Sequence, residues 1–216
     1  MNNTVLLLAS LCLFAPAAWA QSPSPGSLHY EKHFDKADIG KVPEDFLVLD
    51  GGFVVKEEEG NQFLELPGAP LDSYAVQFGP SATSNVTVTA AIKSTGKGRR
   101  YPTFGVGLGG VSGFRLQVSP AKKEIELYQD QTVKKSAAYQ WKSGEWVVLR
   151  LQIASSPEGK NRVEGKVWQK GSAEPKDWQI SIDITDPIPS GRPSIFGSPF
   201  ADTPIQFDDL AVDSAR

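Results

Sequence analysis

The feature that most constrains this chain is a period of two in residues 162–184, RVEGKVWQKGSAEPKDWQISIDI. Val163, Gly165 and Val167 alternate with Arg162, Glu164, Lys166 and Trp168, and Trp178, Ile180, Ile182 and Ile184 alternate with polar residues. A strand sends successive side chains to opposite faces, so this spacing predicts two half-buried strands. The stretch between them, from Lys170 to Lys176, reads as a turn and makes the pair a hairpin. Phase separates its tryptophans: Trp168 falls on the face opposite Val163 and Val167, whereas Trp178 shares the isoleucine face and is expected in the core.

The same period recurs from Leu28 onward, at 28–35, 46–49, 52–56, 62–66, 74–78, 86–92, 103–108, 114–118, 124–128, 146–153, 194–197 and 205–212. Turn-forming Gly, Pro, Asn, Asp and Ser separate the segments. With the hairpin this makes roughly fourteen short strands and no crossover helix, which excludes parallel α/β folds and favours an all-β, two-sheet antiparallel β-sandwich. No internal repeat of the kind a propeller needs is present. Alternation names the expected interior: Val86, Val88, Ala90, Ile92, Phe104, Val106, Leu108, Phe114, Leu116, Val118, Ile125, Leu127, Val147, Leu149, Leu151, Ile153, Val163 and Val167.

Residues 4–20 are apolar and uncharged, and Ala18 and Ala20 are small residues at the two positions a signal peptidase reads. The expected organisation is a signal peptide at 1–20, a Pro/Gly-containing lead-in at 21–27, and a single β-sandwich domain at 28–216. The apolar run is short for a bilayer span and contains Pro16, and Leu11 before Cys12 does not suit a lipid-anchored cysteine. Cleavage after Ala20 removes Cys12, the one cysteine, so the mature chain has neither disulfide nor thiol chemistry. A secreted or periplasmic location in a bacterial envelope follows, with no membrane attachment after cleavage. The Asn85-Val86-Thr87 sequon lies inside a strand pattern and reads as incidental. A net charge of −3 with no basic block argues against a nucleic-acid partner.

If the middle strands neighbour one another, their outward positions bring together Tyr101, Arg115, Gln117, Glu126, Tyr128, Trp146, Arg150, Gln152, Glu164, Lys166 and Trp168. Flat rings beside amides, carboxylates and guanidinium groups are what sugar rings need, because C–H faces stack on aromatics while hydroxyls meet hydrogen-bonding groups. The plainer reading is a solvated outer sheet face. Two loops add candidates: residues 96–102 carry Arg99, Arg100 and Tyr101 and suit an acidic glycan or sulfate, and residues 139–146 carry Trp141. For Trp141, Trp168 and Trp178, covering the end of the core is the alternative to stacking on sugar.

Phe34-Asp35, the Val167-Trp168-Gln169-Lys170-Gly171 run with Glu174-Pro175 and Asp177-Trp178-Gln179, and the closing Ile205-Gln206-Phe207-Asp208-Asp209-Leu210-Ala211-Val212 resemble the laminin-G-like, concanavalin A-like lectin/glucanase superfamily of bacterial exported proteins. The resemblance spans about residues 28–213. It implies a jelly roll of two curved sheets, a carbohydrate site on the concave face, and often a calcium near the chain ends. Hydrolytic branches carry a Glu-x-Asp-x-x-Glu strand, whose paired carboxylates glycoside cleavage requires. That pattern is missing here; Glu124-Ile125-Glu126 comes nearest, and no catalytic residue is assigned.

Gly105-Val106-Gly107-Leu108-Gly109-Gly110 formally matches a dinucleotide fingerprint but precedes a strand, not a helix, so these glycines are expected to admit a neighbouring backbone or ligand, or to form a bulge. His29 and His33 share a face with Glu31 and Asp35, an arrangement in which a metal is conceivable. Asp208-Asp209 interrupts the alternation of the last strand, which predicts a bulge with its carboxylates on different sides. With Asp35 they are candidate calcium ligands; the alternative is an Asp capping backbone N–H groups. The expected function is non-catalytic, lectin-like carbohydrate binding. The alternatives are a glucanase-type enzyme with unrecognised carboxylates and a structural or protein-interaction module of the envelope.

Overall fold

The computed structural model describes residues 28–68, 72–82, 85–155 and 160–214, so the expected signal peptide and lead-in lie outside the described residues. Fifteen strands follow in chain order. They are β1 (Leu28–Lys32), β2 (Leu47–Asp50), β3 (Val54–Glu58), β4 (Asn61–Leu66), β5 (Tyr74–Gln77), β6 (Val86–Ser94), β7 (Thr103–Leu108) and β8 (Phe114–Ser119). The rest are β9 (Glu124–Gln129), β10 (Thr132–Ala138), β11 (Val147–Ser155), β12 (Asn161–Gln169), β13 (Ile180–Ile184), β14 (Ser194–Ser198) and β15 (Ile205–Ser214).

Two antiparallel sheets form: an eight-stranded one in the order β13-β12-β11-β6-β15-β4-β3 with β1 added on β15, and a seven-stranded one in the order β10-β9-β8-β7-β14-β5-β2. The opening hairpin is present as β12–β13, with Asn161 opposite Ile184 and Gly165 opposite Ile180. The expected interior residues from Val86 to Val167 are all buried, in one cluster that also takes in Phe78, Ile195, Ile205, Phe207 and Leu210.

Three expectations change. β10, Thr-Val-Lys-Lys-Ser-Ala-Ala, is a strand that alternation does not mark. It is an exposed edge strand, so neither face selects apolar residues, and its lysines are of the kind that blunt an open edge. Trp178 is not core: β13 begins at Ile180, and Gln179 turns its amide onto the backbone N–H and carbonyl of Val167, breaking the phase. Its half-buried ring lies 4.5 Å from the Lys166 ammonium, on the outer side of the eight-stranded sheet.

The third change matters most for function. The middle strands are not all neighbours: β8 and β9 belong to the seven-stranded sheet, whereas β11 pairs with β12 on one side and β6 on the other in the eight-stranded one. Alternation reports the phase of a strand but not the sheet that receives it, and the chain changes sheets between β10 and β11. The expected single polar-aromatic face is therefore two faces, on opposite sides of the sandwich.

Candidate functional site

On the outer face of the seven-stranded sheet the strand registers align side chains into rows. One row runs Gln77, Ser194, Gly107, Arg115, Tyr128 and the next runs Ala75, Phe196, Gly105, Gln117, Glu126. β7 contributes glycine to both, so side chains from β8 and β14 meet across it. The Arg115 guanidinium stacks 5.2 Å from the Phe196 ring centre and 5.0 Å from that of Tyr128. A Cβ on Gly105 would lie 2.6 Å from Phe196 Cζ, and one on Gly107 would lie 2.5 Å from Ser194 Oγ. The formal GxGxxG match is thus a device for close approach on a sheet.

Over these rows lies a groove of about 190 Å³, lined by Leu49, Ser73, Tyr74, Ala75, Gln77, Gly110, Val111, Arg115, Gln131, Ser194 and Phe196. Its rim holds exposed Leu49 and Val111, and its polar groups are two amides, hydroxyls and one guanidinium. Arg115 Nη2 donates to the Asp130 carbonyl at 3.0 Å and to Gln131 Oε1 at 3.3 Å, while its buried Nε has no acceptor.

Beside the groove, Glu126 is buried and held by Lys122 at 2.6 Å, by the Ser119 hydroxyl, and by Tyr128 and Gln117. Burial pushes its pKa up, but Lys122 and the hydroxyls outweigh that and leave it below the ordinary carboxylate value. Glu126 is therefore held as a carboxylate and is unsuited to serve as a general acid, although Glu124 and Glu126 do share this face. Since its folded pKa is depressed, its stabilisation is complete above the unfolded value of 4.5 and lost as pH falls through the folded one. Urea titrations are expected to show wild type losing stability relative to Glu126→Gln as pH falls below 4.5, with the variant's profile flatter there.

The remaining expected residues lie elsewhere. On the eight-stranded sheet, Glu174 accepts from both Arg150 and Lys166 at 2.6 Å. Arg150 covers the Trp168 ring at 5.6 Å, Lys166 also bonds the Pro175 carbonyl, and Gln152 reaches Glu164 at 3.5 Å. This face spends its cations on its own rings and carboxylates. Trp146 precedes β11 and packs edge-on against Phe63, with Lys93 and Lys170 near its ring. Trp141 packs edge-on against Phe104 and caps the core. Tyr101 lies near Gly96, and Arg99 and Arg100 are exposed on the same β6–β7 connection, away from the groove lining.

The calcium candidates do not assemble. Phe34 has a φ of 59°, which ends the β1 phase and places Asp35 in the turn that follows. The bulge in β15 is present, with Asp209 at φ 47°. Asp208 caps the Asp209 N–H at 2.8 Å and accepts from Asn61, while Asp209 pairs with Lys170 at 2.6 Å and His33 at 2.9 Å. Both carboxylates lie within reach of Lys170's charge. Among the described residues no group of three or more His, Cys, Asp or Glu could hold a metal ion, so this donor set does not fit calcium.

No protein-family model and no curated protein sequence matches this chain. Solved structures do. A carbohydrate-binding module of class CBM66 from Bacillus subtilis aligns with a TM-score of 0.57 at 8% identity, over 79% of this chain and 96% of that one. The exoplasmic/lumenal domain of VIP36, in a form bound to Ca²⁺ and Man3GlcNAc, aligns with a TM-score of 0.54 at 11% identity over 82% and 86%. A Bacillus subtilis protein of unknown function with a galectin-like fold gives 0.54 at 11% identity over 87% and 96%. The chain has the lectin-type, concanavalin A-like jelly-roll fold.

Sequence reasoning named Arg115, Gln117, Glu126 and Tyr128 but missed Gln77, Ser194 and Phe196 across the groove. The available signal was the pair of alternate glycines in β7, which marks where flanking side chains can converge.

Proposed function

We propose that the protein is an exported, non-catalytic glycan-binding protein of the lectin type whose sugar seat is the groove on the seven-stranded sheet. The observation that carries this reading is the groove's composition: apolar Leu49, Val111 and Phe196 beside the hydrogen-bonding groups of Gln77, Ser194, Gln131 and Arg115. A sugar needs both, an apolar wall for its C–H face and directed donors and acceptors for its hydroxyls. The eight-stranded face is the weaker seat because Arg150 and Lys166 already cover Trp168 and Trp178 and are neutralised by Glu174. The names of two structural neighbours, a carbohydrate-binding module and a Man3GlcNAc-bound domain, support the ligand class. The uncharged apolar run at 4–20 supports export. Calcium has no part in this reading.

The test is a glycan array and affinity gels with insoluble polysaccharides, run beside a reducing-sugar assay. Retention without product is expected. Gln77→Ala and Arg115→Ala should weaken binding at least roughly tenfold, the cost of one lost polar contact to a ligand, whereas Trp168→Ala should stay within about twofold. Product release would make the protein an enzyme, and neither retention nor product would favour an interaction module.

A further inference from the structure

We propose that the groove selects an anionic sugar, a uronate or a sulfate ester, whose charged group pairs with Arg115. The inference rests on the groove being the sugar seat. Several buried and half-buried charges elsewhere in the fold have counter-charges: Glu126 has Lys122, Glu65 has Lys56, Lys166 and Arg150 share Glu174, and Asp209 has Lys170 and His33, whereas Arg192, outside the groove lining, bonds the Gly79 and Asp45 carbonyls. Arg115 has no such counter-charge, and it lines the groove. Among the described residues its acceptors are both neutral, the Asp130 carbonyl and the Gln131 amide oxygen, and no carboxylate forms an ion pair with it. The Tyr128 and Phe196 rings lie against it, and burial draws its pKa downward more than the nearby Tyr128 and Asp130 raise it.

An unpaired guanidinium of this kind costs free energy that an incoming anion recovers. Arg115 is also the one charged residue lining the groove, with the Asp130 carboxylate acting on it only from beyond ion-pair distance. Stacked between Phe196 and Tyr128, its planar fork has a fixed orientation, and a carboxylate or sulfate can meet it in two-point fashion. Gln77, Ser194 and Gln131 remain to hold hydroxyls on the same ring.

Calorimetric titration of the purified protein with tetragalacturonate, its carboxyl-reduced counterpart and a sulfated carrageenan tetrasaccharide tests this, each at low and high NaCl. An anionic probe should bind roughly tenfold or more tightly than the neutral tetrasaccharide, with the preference shrinking in high salt. Preference for the uronate identifies a carboxylate partner, and preference for the carrageenan a sulfate. Arg115→Gln should abolish the preference, and Arg115→Lys should retain only part of it. The salt dependence of wild type gives the same answer if these variants fold poorly. Equal binding of neutral and anionic probes overturns the anion inference and leaves the groove as a sugar seat. No binding by any of the three, together with a blank array, overturns both.

Discussion

Gly105→Ala is expected to destabilise the protein by about 3 kcal/mol, the upper end of the usual cost of overpacking. A Cβ at this position would fall well inside contact distance of the Leu116 backbone oxygen on β8 and 2.6 Å from Phe196 Cζ. The first neighbour is backbone within a paired strand and cannot rotate away; relief requires moving β7 from β8. Gly107→Ala is the internal control. Its new Cβ would meet Ser194 Oγ, which a rotamer change removes, and the Phe114 carbonyl only at 3.4 Å, so about 1 kcal/mol is expected. Urea denaturation midpoints separate the two variants. Equal midpoints would mean that Phe196 and β8 do not press on β7 as described, and the floor of the groove would have to be redrawn.

Glu174→Ala carries the second large effect. One carboxylate neutralises both Arg150 and Lys166 at 2.6 Å, and the Lys166 side chain is only 8% exposed. Removing a partner from a fully buried pair costs about 3–5 kcal/mol because the surviving charge stays desolvated. Glu174 itself is about one-third exposed and water can reach the vacated space, so about 2 kcal/mol is expected. In the double variant Glu174→Ala/Lys166→Met most of this loss should be recovered, since the stranded ammonium is gone and the Met side chain can still pack under Trp178. A chemical-denaturation cycle measures the coupling; additive losses would show that the two groups do not act as a pair.

Much of the fold was legible because each interior strand has one face in the core, and a buried face writes itself as alternation. Val86 to Ile92 and Val147 to Ile153 are clear cases. β10 was illegible for the complementary reason, being exposed along nearly its whole length. Trp178 misled because alternation was carried two residues past the true start of β13, where Gln179 satisfies the Val167 backbone in place of a strand partner. The site was half legible. Phase put Arg115, Gln117, Glu126 and Tyr128 on one face correctly, yet it could not exclude Arg150 or Trp168, because sheet membership is decided by where the chain crosses between layers. Phe196 and Ser194 come from a strand some eighty residues away in sequence, and only the register through Gly105 and Gly107 brings them beside Arg115.

The bulge in β15 was anticipated from the phase slip at Asp208-Asp209, and the structure supplies its occupants. Asp208 turns back onto the next N–H, and Asp209 reaches His33 and Lys170. The carboxylates that suggested calcium are thus partnered within the chain.

The most direct test of the glycan seat is amide chemical-shift mapping of the isotope-labelled protein, titrated with the tightest binder from the array. The groove account predicts saturable shifts at Gln77, Gly107, Gly110, Arg115, Ser194 and Phe196, with Arg150, Lys166 and Trp168 unmoved. Saturable shifts confined to β11 and β12 would contradict it and move the sugar to the opposite face of the sandwich.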